Sequence, residues 1–375
     1  MINIVAYSAG RSDIDRWLPF IRDIKSENNI NLKFILNQNH FDPNFGSTFK
    51  NFEREFNNFK NKKFSRNISI AESMSNDSKE FEKLLKKEKY NFVILLGDRY
   101  EILNIAHLAT IFNIPIIHLY GGAITTGAID NQIRNAVSKM SHYHLVACKH
   151  YKNRLINIGE DKNRIKVIGI RSLKEMISLK HKYTKEDIKK KFKIDINNKI
   201  ALITIHPVTL FPNESKLILK NIFKIINEMN LSVIFTYPNK DIGNEVIISE
   251  IKKFCKKSKE TRIFVKVLEI NLFSSLLNIV DIMIGNSSSG IVESASFKLP
   301  VVNIGSRQTG KLIPINVINT ENKFDKISKS ISIALSLNFK KKIAKIKNPY
   351  FLRNNFHIGR LIKKLINEKN LIVKT

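Results

Sequence analysis

Along the chain, short runs of β-branched and other apolar residues alternate with longer stretches whose apolar positions return every three or four residues. A continuous apolar run suits a strand buried on both faces, whereas the three-to-four repeat marks one face of a helix. The runs predict strands over residues 2–7, 32–36, 92–96, 114–119, 143–147 and 165–168. In the second half they predict strands over 200–205, 232–237, 263–267, 280–284, 301–304 and 316–318. Helical spacing occupies 13–27, 79–87, 100–112, 132–140 and 151–158, and returns near the end at 358–366. Strands alternating with helices in this way predict βαβ units and parallel sheets. Residues 39–68 are polar with scattered Phe and predict a loop with some helix.

A length of 375 residues suggests two domains, each with its own core. The pattern divides into a first α/β domain over 1–172 and a second over 185–350, with Lys-rich text containing a helix between them. Residues 351–375 are expected to carry a C-terminal helix that packs back on the first domain. Two doubly wound domains in series hold ligands at the carboxyl ends of their strands, so the sequence predicts a cleft between the domains.

Charge changes this picture less than its size suggests. There are 63 Lys and Arg against 33 Asp and Glu, a formal net charge of +30. The excess is mostly Lys, is spread along the chain and belongs to no nucleic-acid-binding module, so no nucleic-acid partner is expected. No apolar run reaches the roughly 18–20 residues of a membrane span, and the chain opens on a strand rather than a leader. Two cysteines, Cys148 and Cys255, argue against a disulfide framework. A cytoplasmic protein without a membrane partner is the expectation, with a homo-oligomer left open. His142 and His144 have no Cys or acidic partner at metal-ligand spacing, so no metal is expected.

The chemistry-bearing residues fall at predicted strand ends. Gly285-Asn286-Ser287-Ser288-Ser289-Gly290 follows a buried strand and leads into a helix expected to begin near Gly290, with Glu293 in its first turn. Free backbone N–H groups and hydroxyls there suit a phosphate, and Glu293 suits either the helix dipole or a ribose diol. Gly97-Asp98-Arg99-Tyr100-Glu101 puts Asp98 at another strand end, either for acid–base work or for capping the next helix while Arg99 pairs with an acid. Gly121-Gly122 is expected to let backbone approach a ligand, and Asp130 precedes a helix carrying Arg134. His206-Pro207 ends a strand of the second half, and Arg11 and Arg307 sit after strands where they could meet a phosphate. The GxGxxG fingerprint of dinucleotide binding is absent, and no cofactor is expected.

This ordered series resembles the hydrolysing UDP-N-acetylglucosamine 2-epimerases, which supply N-acetylmannosamine for sialic-acid and related nonulosonate synthesis. The resemblance runs from the first strand to about Lys311. It rests on Gly97-Asp98-Arg99 with Glu101, Gly121-Gly122, Ala128-Ile129-Asp130, Ile133-Arg134, His206-Pro207, Thr236-Tyr237-Pro238-Asn239, Asn286 to Gly290 and Asn303 to Gln308. It implies a GT-B fold, two Rossmann-like domains facing across a cleft. It also implies an elimination of UDP from the sugar with loss of the C2 proton, followed by addition of water. Asp98, Asp130 and His206 match the family's catalytic positions. Arg11, Glu101, Arg134, Asn286, Ser287, Ser288, Ser289, Gly290, Glu293 and Arg307 are the substrate-binding set that the resemblance and the strand ends together suggest, for a UDP-sugar. The chain departs from the family at Tyr120 and Ala123, where acids usually stand, and at Asn131. Two other functions therefore stay in view: a nucleotide-sugar-binding homologue without turnover, and a GT-B glycosyltransferase that needs an acceptor.

Overall fold

The computed structural model describes residues 1–10, 13–43, 48–53, 69–126, 128–239, 241–258, 261–354 and 356–368. The chain forms two compact units, one of Met1–Ala123, Asp130–Ser172 and Leu352–Thr375, the other of Ile124–Ile129 and Leu173–Phe351.

The first unit is a six-stranded parallel sheet of β1 (Ile2–Ser8), β2 (Ile30–Leu36), β3 (Phe92–Leu96), β4 (Ile116–Leu119), β5 (Tyr143–Val146) and β6 (Ile165–Val167). Their order in the sheet is β2-β1-β3-β4-β5-β6, so the winding reverses between β1 and β3. Every residue of β3, β4 and β5 is buried, which is why these strands read as unbroken apolar runs. Val5, Tyr7, Val93, Leu95 and Ile116 pack beneath Phe81, Ile105 and Val137 of the helices Ile70–Lys87, Glu101–Ile111 and Asp130–Met140. The helix expected from residue 79 starts at Ile70, where the Ser69 hydroxyl accepts the Glu72 N–H at 3.1 Å. Across and just before 39–68, the described residues hold a 3₁₀ turn, Gln38–Phe41, and a short helix, Phe49–Glu53.

The C-terminal helix Ile358–Leu365 belongs to this unit and packs on the helix Ile14–Lys25. Asp23 accepts the Ile358 N–H at 3.2 Å, and Glu27 pairs with Lys363 and with His357 at 3.6 Å.

The second unit repeats the plan with β7 (Ile200–Thr204), β8 (Ser232–Thr236), β9 (Arg262–Val265), β10 (Ile282–Gly285), β11 (Val301–Ile304) and β12 (Val317–Thr320), all parallel. The order β12-β11-β10-β7-β8-β9 reverses between β7 and β10. Ala201, Ile203, Val233, Phe235, Ile282 and Ile284 form its core with Ile222, Ile226, Ile251 and Ile331 from the covering helices. Each predicted strand coincides with an observed one to within a few residues. Both units are Rossmann-like, and the fold is GT-B-like α/β. In open parallel sheets, the point of reversal is where a ligand crevice forms at the carboxyl ends.

Candidate functional site

In the first unit, β1 and β3 flank the reversal. After β1 the buried Asp13 carboxylate accepts the Ala9 and Gly10 N–H groups at 2.9 and 3.2 Å and the Ser8 hydroxyl at 3.3 Å. Burial pushes the Asp13 pKa up, while Arg99 and these N–H groups oppose it. Ser8 also meets His40 Nε2 at 2.9 Å, and His40 Nδ1 meets the Thr48 hydroxyl at 3.0 Å. This buried polar chain braces the end of β1. Arg11, expected here as a phosphate contact, lies outside the described residues.

After β3, His118 on β4 donates from Nε2 to the Gly97 carbonyl at 2.8 Å and accepts the Ser138 hydroxyl at Nδ1, 3.1 Å away. A carbonyl can only accept, so this pair of bonds fixes the tautomer. The neighbouring Asp98 is one-third exposed and is ion-paired with the buried Arg134. Arg134 also donates to the Ala123 carbonyl at 2.8 Å, tying the loop after β4 to the turn after β3. Arg99 donates to both oxygens of Glu101 at 3.1 and 3.0 Å, and Asn39 donates to the same carboxylate at 2.9 Å. The buried Glu101 is thus engaged by its own unit. Asp130 is half-buried at the first position of its helix.

The loop after β4 departs from expectation. The absence of side chains at Gly121 and Gly122 serves internal packing. A Cβ on Gly121 would lie 2.8 Å from His118 Nδ1, and one on Gly122, at φ +79°, would lie 2.6 Å from the Tyr151 carbonyl oxygen. Tyr120, at the position where the resemblance leads one to expect an acid, is buried against Phe20, and its hydroxyl accepts the Arg171 N–H at 3.2 Å. His142 and His144 are structural: His142 accepts the Ile116 N–H at 3.2 Å, and His144 meets Glu160 at 2.9 Å. Among the described residues, no cluster of three or more His, Cys, Asp or Glu could hold a metal ion, and no helix is long and apolar enough to cross a membrane.

In the second unit, the reversal brings His206 after β7 beside Asn286 and Ser287 after β10. The fully buried Asn286 side chain accepts the His206 N–H at 2.7 Å and donates to the His206 carbonyl at 2.9 Å. Gly285 permits this approach: at φ +140°, a Cβ would lie 2.0 Å from the Thr204 carbonyl oxygen. His206 Nδ1 accepts the Asn239 N–H at 3.1 Å, which leaves Nε2 as the protonated nitrogen of the neutral ring, 3.3 Å from the Ser287 hydroxyl. The Ser287 hydroxyl in turn accepts the Ser289 N–H at 3.3 Å, while Ser288 and Ser289 remain half-buried. The helix expected near Gly290 is a single turn, Ser289–Val292, followed by the 3₁₀ turn Ser294–Phe297 with the buried Glu293 at the junction.

From the loop after β11, Arg307 and Gln308 donate to the Asn286 carbonyl at 3.1 and 2.6 Å. Arg307 is 8% exposed, its Nε–H makes no hydrogen bond, and no described carboxylate pairs with it. A desolvated guanidinium without an acid is electrostatically incomplete and suited to an incoming anion. The serine motif and Arg307 were visible in the sequence as candidates only. The Asn286 clamp, the Asn239 contact that sets the His206 tautomer and the Gln308 bond were not, because each depends on strand order.

Comparison with known proteins agrees with this architecture. A protein-family model described as UDP-N-acetylglucosamine 2-epimerase matches residues 22–355. The chain is 36% identical over 325 residues to the GDP/UDP-N,N'-diacetylbacillosamine 2-epimerase (hydrolyzing) of Campylobacter jejuni, covering 85% of this chain and 84% of that protein. It is 32% identical over 349 residues to the UDP-N,N'-diacetylbacillosamine 2-epimerase (hydrolyzing) of Legionella pneumophila, covering 90% of each. The fold is similar to the crystal structure of UDP-GlcNAc 2-epimerase from Neisseria meningitidis bound to UDP-GlcNAc, with a TM-score of 0.78, 18% identity and coverage of 97% and 98% of the two chains.

Proposed function

Because the chain belongs to the UDP-N-acetylglucosamine 2-epimerase family, we propose that it is a hydrolysing 2-epimerase of a UDP-linked N-acetylated amino sugar whose ring carries acetamido groups at two positions. UDP-N-acetylglucosamine is the competing substrate within the same chemistry. The relatives at 36% and 32% identity, both named for the diacetylated sugar, favour the former.

The observation that carries this reading is the buried Arg307 without an acidic partner, held beside Asn286 and His206 at the reversal of the second sheet. On this reading Arg307 offsets the charge that builds on pyrophosphate as UDP leaves C1. Ser288, Ser289 and the Gly290 turn bind its oxygens, and Glu293 takes the ribose hydroxyls. Loss of the C2 proton accompanies departure of UDP and leaves a 2-acetamidoglycal. Water then adds at C1 and a proton returns to C2 on the opposite face, giving the free epimerised sugar. Asp98, Asp130 and His206 share this proton traffic, each group being worth about 10²–10⁴-fold in rate. The Arg134 pairing keeps Asp98 oriented at its turn.

The test is release of UDP from the UDP-linked diacetamido sugar and from UDP-N-acetylglucosamine with no acceptor present. The expected result is release from both, faster from the diacetamido sugar. Release only after an acceptor is added would instead favour a transferase, and tight binding without release a non-catalytic homologue.

A further inference from the structure

The first unit contains a cavity of about 510 Å³ that the proposed reaction does not use. Its strand residues include Tyr143 and Ile165, the first residues of β5 and β6, so it lies toward the amino ends of these strands. That is the end of the sheet opposite Gly97 and Asp98. Leu145, Ile165, Leu361 and Leu365 give it an apolar floor, partly from the C-terminal helix.

Five cations line it: Lys152, Lys162, Arg164, Lys166 and Lys364. The two acids in the wall have local duties. Asp161 accepts the Asn163 N–H at 2.8 Å, capping a turn, and Glu368 accepts the Tyr143 hydroxyl at 2.6 Å. None of the four lysines forms an ion pair with a described residue. Lys152 is held at the wall by the carbonyls of Lys162 and Ile165, at 3.0 and 3.1 Å, which leaves one of its three donors unused. Arg164 lies over the Tyr143 ring, 5.5 Å from its centroid, an arrangement that holds its planar fork in place.

We propose that this cavity is a second binding site, for a small organic phosphate. Four ammonium groups and a guanidinium fork lining one cavity match a doubly charged tetrahedral oxyanion better than a single carboxylate. The volume falls within the roughly 300–1,000 Å³ of small-molecule pockets, far more than one phosphate fills, and the apolar floor accommodates an organic portion. An occupant would bridge β6 and its preceding turn to the helix Ile358–Leu365.

The test is hydrogen exchange and calorimetric titration of the full chain with ribose 5-phosphate and, separately, inorganic phosphate. Ribose 5-phosphate should slow exchange several-fold at both 161–167 and 358–365. The double variant Lys162→Glu/Lys166→Glu, at two exposed positions, should weaken its binding at least ten-fold. Arg307→Ala should leave this protection intact, which separates the cavity from the proposed nucleotide site. Absence of protection at these segments, protection unchanged in the double variant, or protection lost in Arg307→Ala would overturn the proposal. Binding of inorganic phosphate as tightly as ribose 5-phosphate would overturn the assignment of an organic portion.

Discussion

Replacing Asn286 by Leu tests how the second unit holds His206. The substitution keeps roughly the same bulk but removes the acceptor for the His206 N–H and the donor to the His206 carbonyl, bonds of 2.7 and 2.9 Å at a fully buried position. Each buried backbone group left unsatisfied costs about 1–3 kcal/mol, so the pair predicts a loss of roughly 2–6 kcal/mol. For a unit of this size that is a fall in melting temperature on the order of 4–24 °C, at about 2–4 °C per kcal/mol. Calorimetry of parent and variant gives the stability change, and titration with UDP gives the functional one. UDP affinity should fall with stability, because the Asn286 carbonyl that receives Arg307 and Gln308 belongs to the same residue. Asn286→Asp keeps an acceptor for the N–H but loses the donor and should fall between parent and Leu. A Leu variant within about 0.5 kcal/mol of the parent, the ordinary range of a neutral surface change, and with unaltered UDP affinity would refute the clamp.

Other predictions concern the first unit. Burial drives His40 to a pKa of about 3, so its neutral form is stabilised in the folded chain. The associated stability is complete above about pH 6.5 and is lost as pH falls toward 3; between pH 7 and 4.5 the parent should lose about 2–3 kcal/mol more than His40→Gln in urea titrations. Gly122→Ala should destabilise by more than about 2 kcal/mol through strain and collision with the Tyr151 carbonyl. Gly97→Ala, at φ +83° with nothing within 4 Å of the added carbon, should cost only about 1 kcal/mol on the same melting assay. Asp98→Asn should lower turnover by about 10²–10⁴-fold while UDP binding stays near the parent value, separable by single-turnover kinetics and calorimetry.

The strands were legible because parallel strands covered on both faces, such as Phe92–Leu96, present no alternation to misread. The start of the helix at Ile70 was hidden by its polar first turns, although Ser69 followed by Glu72 three residues later is an N-terminal signature. Gly121-Gly122 was a different case. Two adjacent glycines mark close approach, but sequence does not say of what, and here the neighbours are His118, Ser138 and Tyr151. The polar contacts that define the candidate site join residues far apart in the chain, Asn286 to His206 and Asn39 to Glu101, and only strand order brings them together. Arg134 was legible as a cation, but not as the partner of Asp98.

The most direct test of the account is turnover of the UDP-linked diacetamido sugar in heavy water, followed by NMR of the products. Proton loss and return at C2 predict UDP together with a free sugar epimerised at C2 and carrying deuterium there. A free sugar that keeps its original proton at C2, or no sugar product at all, would contradict it.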